Sequence, residues 1–137
     1  MRTIKFRGKP IQGEHLYENF VYGNLAKYAS GVYNILVPIQ WGFENYKIDP
    51  ETIGQFTGLY DCDGKEIYEG DILRLGNSSS AMFEVKWNET IAAFCIRFYF
   101  ENEMGTIPLG VWVESEKNIS IIGNIHDNPE LLKGGEQ

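Results

Sequence analysis

The chain has 137 residues, a formal net charge of −7 and an aromatic content of 14%. This length predicts a single domain over residues 1–137 that buries a core without disulfide or metal support. Every apolar run falls well short of the ~20 residues that a membrane-spanning helix requires, so we expect no membrane segment. No apolar region follows the basic N-terminus, so we expect no secretory signal and a cytoplasmic protein.

Charge is distributed unevenly along the chain. The first ten residues contain four basic and no acidic side chains, whereas the remaining residues carry 8 basic and 19 acidic ones. Because affinity for nucleic acid depends on positive charge facing phosphates, such an acidic body is a poor general nucleic-acid binder.

The N-terminal residues alternate in polarity and predict a half-exposed strand. Ile4 and Phe6 share one face, and Lys5 and Arg7 share the other. With Lys9, these two cations form a basic ridge that is a candidate nucleic-acid contact. The favoured alternative is a charged edge strand that deters unwanted pairing or pairs with an acidic sheet.

Further strands are predicted over residues 20–25 and 32–39, paired across a short turn. Three aromatic residues, Trp41, Phe43 and Tyr46, follow within six positions. Such density fits a stacking platform for bases or sugars. It fits a core or a subunit contact better, so these three residues are candidate interface aromatics.

Two close turns dominate the centre of the sequence. Asp63-Gly64 predicts a hairpin between residues 56–60 and 65–68, because Gly adopts a positive φ without strain. Gly70-Asp71 predicts a second reversal that starts the strand over residues 72–75. A one-turn helix is predicted at residues 49–52, where Pro follows a capping Asp.

Three stretches carry a resemblance to a known family. They are IKFRGK at 4–9, DPETIGQFTGL at 49–59 continued by DGKEIYEGDI at 63–72, and IGNIHDNPELL at 122–132. In these stretches the sequence resembles the YopX-like family of phage and prophage proteins. The resemblance implies a mainly β fold and a phage or prophage origin in a bacterium, and it implies no catalytic residue.

The second half of the chain adds strands and loops. A flexible loop is predicted at 76–80 and a polar tail at 133–137. An apolar strand over 91–100 is expected to be central or to lie at a subunit interface. The other predicted elements are strands at 81–87, 106–114 and 119–125 and a capped helical turn at 128–132.

Five carboxylates cluster around the central turns, at Asp61, Asp63, Glu66, Glu69 and Asp71. Their spacing fails the EF-hand pattern at the fifth, sixth and twelfth loop positions. These carboxylates are expected to be solvated turn residues, and a weak surface cation site is the alternative. We therefore expect no metal and no cofactor.

The remaining reactive side chains do not assemble into a recognisable catalytic motif. His126 is interpreted as capping the last strand rather than as a catalytic base, and Cys62 and Cys95 as free thiols of a reducing cytosol. The sequence therefore predicts a mainly β protein with short antiparallel strands in a curled sheet or a small SH3-like barrel, decorated by a few one-turn helices. We expect a non-enzymatic protein that forms homo-oligomers or binds a phage or host protein. Nucleic-acid binding through the basic ridge is the alternative.

Overall fold

The computed structural model describes residues 1–76, 82–100 and 103–133. Its strands lie in antiparallel sheets of six, five and two strands. The mainly β prediction is therefore confirmed, and the described strands leave the sheets open rather than closing the barrel. The strands are β1 (Phe6–Gly8), β2 (Ile11–Gln12), β3 (His15–Leu16), β4 (Val21–Lys27), β5 (Tyr33–Ile39), β6 (Gly42–Ile48), β7 (Gly54–Tyr60), β8 (Glu66–Tyr68), β9 (Asp71–Leu75), β10 (Met82–Asn88), β11 (Ala93–Phe100), β12 (Glu103–Pro108) and β13 (Ile119–Asn124).

Three short helical elements accompany these strands: a 3-10 turn (Pro50–Thr52), α1 (Leu109–Ser115) and α2 (Glu130–Lys133). The backbone groups into two compact units, Met1–Phe56 and Thr57–Gln137. The expectation of a single domain stays a prediction.

The first unit is built on the strand order β6-β5-β4-β1, and the first residues of β7 pair with β1. The predicted hairpin between β4 and β5 is confirmed, with Lys27 opposite Tyr33 and Gly31 in the turn at a φ of 88°. Gly23 is needed where these strands meet, because a Cβ there would lie 2.2 Å from the carbonyl oxygen of Leu36.

The prediction of a half-exposed N-terminal strand is wrong in two respects. The strand begins only at Phe6, and it lies between β4 and β7 rather than at an edge. Arg7 and Lys9 are each only 5% exposed, whereas Ile4 is exposed. Alternation indicated a strand correctly only from Phe6 onward, and the packing of neighbouring segments decided which face was covered.

The helical turn predicted at residues 49–52 is confirmed. The Asp49 carboxylate accepts a hydrogen bond from the Glu51 N–H at 3.1 Å, and Pro50 occupies the first helical position. Thr52 is buried, and its hydroxyl accepts a hydrogen bond from the Lys9 N–H at 2.8 Å. The turn therefore anchors the chain that follows β1.

In the second unit, the two predicted turns between β7 and β9 are confirmed. Gly64 and Gly70 both have positive φ, at 80° and 95°. The expectation that the turn carboxylates are solvated is wrong for two of them, because Asp61 and Asp71 are buried. Asp71 accepts a hydrogen bond from the Tyr68 N–H at 2.7 Å, so its burial serves the turn.

A five-stranded sheet in the order β12-β11-β10-β9-β13 completes the second unit. The apolar strand β11 lies between β12 and β10, which agrees with the first of its two predicted positions, and a place at a subunit interface stays a prediction. The predicted last strand is confirmed as β13, and the predicted final helical turn as α2. The buried core of the unit consists of Ile67, Leu73, Val85, Ile96, Leu109, Trp112 and Ile119.

The strand predicted over residues 106–114 is wrong in its second half. The chain leaves β12 at Pro108 and forms α1 from Leu109. Leu109 and Trp112 are buried at the i, i+3 spacing of a helix face, and Val111 between them is 62% exposed. The predicted flexible loop and polar tail fall, apart from residues 76 and 133, outside the described residues.

Both cysteines are free thiols, Cys62 exposed and Cys95 buried in β11. Burial raises the pKa of the Cys95 thiol, which lowers its reactive thiolate fraction. We expect a thiol reagent at pH 8 to label Cys62 rapidly in the native protein, and to label both Cys62 and Cys95 after unfolding in guanidinium. Mass spectrometry checks this, with Cys62→Ser as the control that removes the fast site. Rapid labelling of Cys95 in the native protein would contradict it.

Candidate protein-interaction site

The turn between β5 and β6 presents two aromatic side chains to solvent. Trp41 is 89% exposed and Phe43 is 58% exposed. We call residues 40–43 the β5–β6 tip. The tip is uncharged, and its outward apolar surface is the kind of surface that marks an interaction site.

Strand β6 is the last strand of its sheet, with β5 on one side. At its C-terminal residue, Ile48 pairs with Tyr33 of β5 and also forms a bridge with Pro10. Because a residue has one bridge partner on each side, Pro10 lies on the outer side of β6. Among the described residues, positions 42–47 have no strand partner on that outer side, although β2 lies close to the later part of β6.

The third predicted interface aromatic, Tyr46, does not join the tip. Phe43 and Tyr46 are separated by three positions of a strand and therefore point to opposite faces. The Tyr46 hydroxyl donates a hydrogen bond to the Glu44 carboxylate, which raises the pKa of that hydroxyl. The structure thus groups Trp41 with Phe43 and places Tyr46 elsewhere.

The basic ridge expected at the N-terminus is not an exposed surface. The Arg7 guanidinium lies 4.3 Å from the centre of the Phe20 ring, and the Lys9 ammonium lies 5.2 Å from it. The Lys5 ammonium lies 5.8 Å from the ring of Phe56. Arg7 and Lys9 are buried in the unit, and their cations lie within cation–π distance of the Phe20 ring. Contact of these residues with nucleic acid stays a prediction.

The first unit also contains an open cleft with a volume of about 530 Å³, which was not predicted from the sequence. It lies between the segment that follows β1 and the C-terminal half of β6. Its apolar wall consists of Pro10, Ile11, Tyr17, Phe20, Val21 and Tyr46. Its polar lining consists of Gln12, Glu18, Asn19, Asn45 and Lys47.

A small hairpin forms one wall of this cleft. Strands β2 and β3 pair around Gly13, which has a φ of 62°. The Tyr17 hydroxyl donates a hydrogen bond to Gln12 Oε1 at 2.9 Å, and the Tyr17 ring packs edge-on against His15 at 4.7 Å. The sequence analysis assigned no strand to residues 10–18. The Gly13-Glu14 pair between short extended segments was the signal for a hairpin.

The chemical groups of the tip and the cleft are suited to binding another molecule. Aromatic faces, side-chain amides and backbone groups dominate both, and the cleft contains one acidic and one basic side chain. Within the described ranges, no group of three or more His, Cys, Asp or Glu is placed to hold a metal ion. Nor does any helix in those ranges have the length and hydropathy required to cross a membrane.

Comparison with known proteins identifies the family. A family model described as "YopX protein" matches residues 5–133, which is nearly the whole chain. The chain belongs to the YopX family. The resemblance seen in the three sequence stretches is therefore confirmed, and this YopX-family chain has no match among curated proteins.

One solved structure similar to this YopX-family protein is protein EF1440 from Enterococcus faecalis, determined by crystallography. The two chains share 22% sequence identity with a TM-score of 0.52, and the match covers 96% of this chain and 99% of that chain. At this level of identity the similarity supports the fold alone.

Proposed function

We propose that this YopX-family protein is a non-enzymatic accessory protein of a phage or prophage that acts in the bacterial cytoplasm by assembling with itself or with another protein. The observation that carries the proposal is the β5–β6 tip, where Trp41 and Phe43 stand in solvent. Tryptophan, tyrosine and arginine dominate the energetics of known interfaces, and charged residues are depleted at interface centres.

Energetic magnitudes support an interaction role for the tip. An aromatic side chain buries roughly 150–250 Å². Fully burying a large apolar side chain such as Phe is worth roughly 1.5–3 kcal/mol relative to leaving it exposed. Association itself costs at least several kcal/mol, so the burial of one ring alone is not sufficient and both rings are expected to contribute. Exposed on a monomer, the same rings would favour non-specific aggregation.

Sedimentation velocity at micromolar concentration tests the proposal. We expect the wild-type protein to form an oligomer and the double variant Trp41→Ser/Phe43→Ser to be monomeric, because the variant loses both apolar anchors. Since both residues are exposed, the variant should retain its circular dichroism spectrum and its melting temperature.

Tyr28→Ser is the matched control. Tyr28 is exposed in the turn between β4 and β5, at the opposite end of the strands from the tip. This variant should assemble like the wild type. A wild-type protein that remains monomeric at every micromolar concentration would contradict self-assembly. A pull-down from phage-infected cells that recovers the same proteins with wild-type and tip-variant baits would contradict partner binding through the tip.

A further inference from the structure

We propose that two copies of this protein pair through the first half of β6, as antiparallel neighbours in one sheet, with the Phe43 residues of both copies on the two-fold axis. This inference rests on the proposed function and names the partner, a second copy, and the register of the contact. Three features of β6 select this register: the direction of its backbone groups, the position of β2 and the charge of Glu44.

Phe43 directs its backbone hydrogen-bonding groups away from β5. Residues opposite each other in an antiparallel pair alternate between pairs that exchange two hydrogen bonds and pairs that exchange none. Phe43 lies opposite Pro38, which has no N–H, so this pair exchanges none. The alternation therefore directs the N–H and C=O groups of residues 43, 45, 47 and 49 to the outer side of β6.

A hydrogen bond at the far end of β6 agrees with this alternation. The N–H of Asp49, the residue that follows β6, donates to the carbonyl oxygen of Lys9 at 3.0 Å. Lys9 directly precedes Pro10, which bridges Ile48 on the outer side. The outward direction predicted for residue 49 is thus observed, and the same count places the backbone groups of Phe43 and Asn45 outward.

The position of β2 limits the accessible outer edge to the first half of β6. Pro10 bridges Ile48, and β2, which follows Pro10, lies close to the later part of β6. Among the described residues, no strand pairs with residues 42–45 on that side. A second strand can therefore lie beside residues 42–45, whereas the outer side of residues 46–48 is already flanked.

Two-fold symmetry then leaves one register. Opposite residues of a sheet share a face, so when a strand pairs with its own copy about a two-fold axis one residue lies opposite itself. Outward backbone groups allow this at Phe43 or Asn45. An axis at Asn45 would place the second strand beside residues 46–48, where β2 lies. An axis at Phe43 avoids β2, because the turn at residues 40–41 reverses the second chain beside Asn45.

The side chains fit this register. Phe43 lies beside Phe43 of the second copy, and aromatic pairs across neighbouring strands are stabilising. Trp41, two positions away and exposed, adds one further ring from each copy. Glu44 lies opposite Gly42 of the second copy, which has no side chain. An axis at Glu44 would instead set two carboxylates opposite each other, which is destabilising.

Contact area sets the expected strength of this dimer. The four rings together offer at most roughly 600–1,000 Å² for burial, at about 150–250 Å² for each ring. Stable specific interfaces bury about 1,200–2,000 Å² in total. The side-chain contact is therefore small, and we expect micromolar rather than nanomolar affinity. Because the same patch of both copies forms the contact, assembly stops at two copies.

Disulfide trapping tests the register. All variants carry Cys62→Ser, which removes the exposed thiol, and keep the buried Cys95. Trp41→Cys is added in one variant and Asn45→Cys in another, so that both variants keep Phe43. Both positions are exposed, so each variant should retain the circular dichroism spectrum of the wild type.

We expect an equimolar mixture of the two variants to form a disulfide-linked heterodimer under mild oxidation, detected by non-reducing electrophoresis and intact mass. Trp41 of one copy lies opposite Asn45 of the other, with Cα atoms roughly 5.5 Å apart, and disulfides join Cα atoms about 4.4–6.8 Å apart. Each variant alone should not cross-link, because identical positions lie about 13 Å apart along the strands.

Thr90→Cys in the same background is the control for random collision. Thr90 is exposed in a turn of the second unit, so mixing this variant with Asn45→Cys should give no heterodimer. Sedimentation of the wild type should show a dimer and no larger species.

The outcomes separate this inference from the proposed function. A folded mixture without the heterodimer, cross-linking of Asn45→Cys alone, or a wild-type oligomer larger than a dimer would overturn the Phe43-centred pairing and leave tip-dependent assembly standing. A wild-type protein that remains monomeric would overturn both.

Discussion

Replacing Trp112 by alanine should lower the free energy of unfolding by about 3–5 kcal/mol, the usual cost of deleting a large aromatic side chain from a core. The Trp112 ring lies 4.8 Å from the ring of Phe83, centre to centre, and belongs to the buried cluster of the second unit. Neighbouring side chains cannot collapse far enough to fill the space that an indole leaves. Urea unfolding followed by circular dichroism measures the loss.

Val111→Ala provides the matched control, because Val111 is the neighbouring helical residue and faces solvent. We expect its effect to stay within about 0.5 kcal/mol, as for most surface substitutions. Comparable losses for the two variants would show that the residues do not occupy opposite sides of α1. They would therefore contradict the burial of Trp112 beside a solvent-exposed Val111.

Asp61→Ala should cost about 3 kcal/mol, because the Asp61 carboxylate organises two separate parts of the second unit. Its Oδ1 accepts hydrogen bonds from the N–H groups of Asp63 and Lys65, both at 2.9 Å. Its Oδ2 accepts a hydrogen bond from the N–H of Ile121 at 3.1 Å, 60 positions away in β13. Alanine leaves all three donors without this acceptor, and thermal unfolding reports the loss.

Two further substitutions sharpen this test. Asp63→Ala, in the exposed part of the same turn, should change stability by less than about 0.5 kcal/mol. The stability loss of Asp61→Asn should lie between those of Asp61→Ala and Asp63→Ala. The amide oxygen can still accept hydrogen bonds from the turn, but the NH₂ group then faces the N–H of Ile121, and two donors cannot pair. Equal stability of Asp61→Ala and wild type would contradict a structural role for the buried carboxylate.

Local turn chemistry made the centre of this fold predictable. Gly64 and Gly70 adopt the positive φ that their turns require, and Asp49 caps the 3-10 turn that Pro50 opens. Each of these features depends on residues within about four positions of one another. A sequence window contains all the information that such a turn needs.

Two predictions from the sequence were wrong because long-range packing decides the structure at these places. Arg7 and Lys9 looked solvated because they are charged and alternate with apolar residues, but their cations lie against the ring of Phe20. The segment that forms α1 was predicted to be a strand, although Pro108 and Gly110 are unfavourable in a strand. The spacing of Leu109, Trp112 and Val113 was the local sign of a helix. These few residues form a segment too short to distinguish the helical period of 3.6 from the strand period of 2.

The candidate site was predictable only in part. The density of aromatic residues indicated an interface near Trp41 and Phe43, and the structure places both in solvent at one turn. Tyr46 was grouped with them by proximity in sequence, although strand geometry separates it. The cleft depends on the approach of residues 10–21 to β6, and no pattern within either segment encodes that approach.

The pairing of β13 with β9 has a consequence for biosynthesis. β9 is the first strand of its sheet along the chain and β13 is the last, yet they are neighbours in hydrogen bonding. A nascent polypeptide on the ribosome therefore holds β9 with one unpaired side until residues 119–124 have left the exit tunnel. Translation interrupted after β12 would release a product with an open, apolar strand side, which is the kind of species that chaperones and proteases remove.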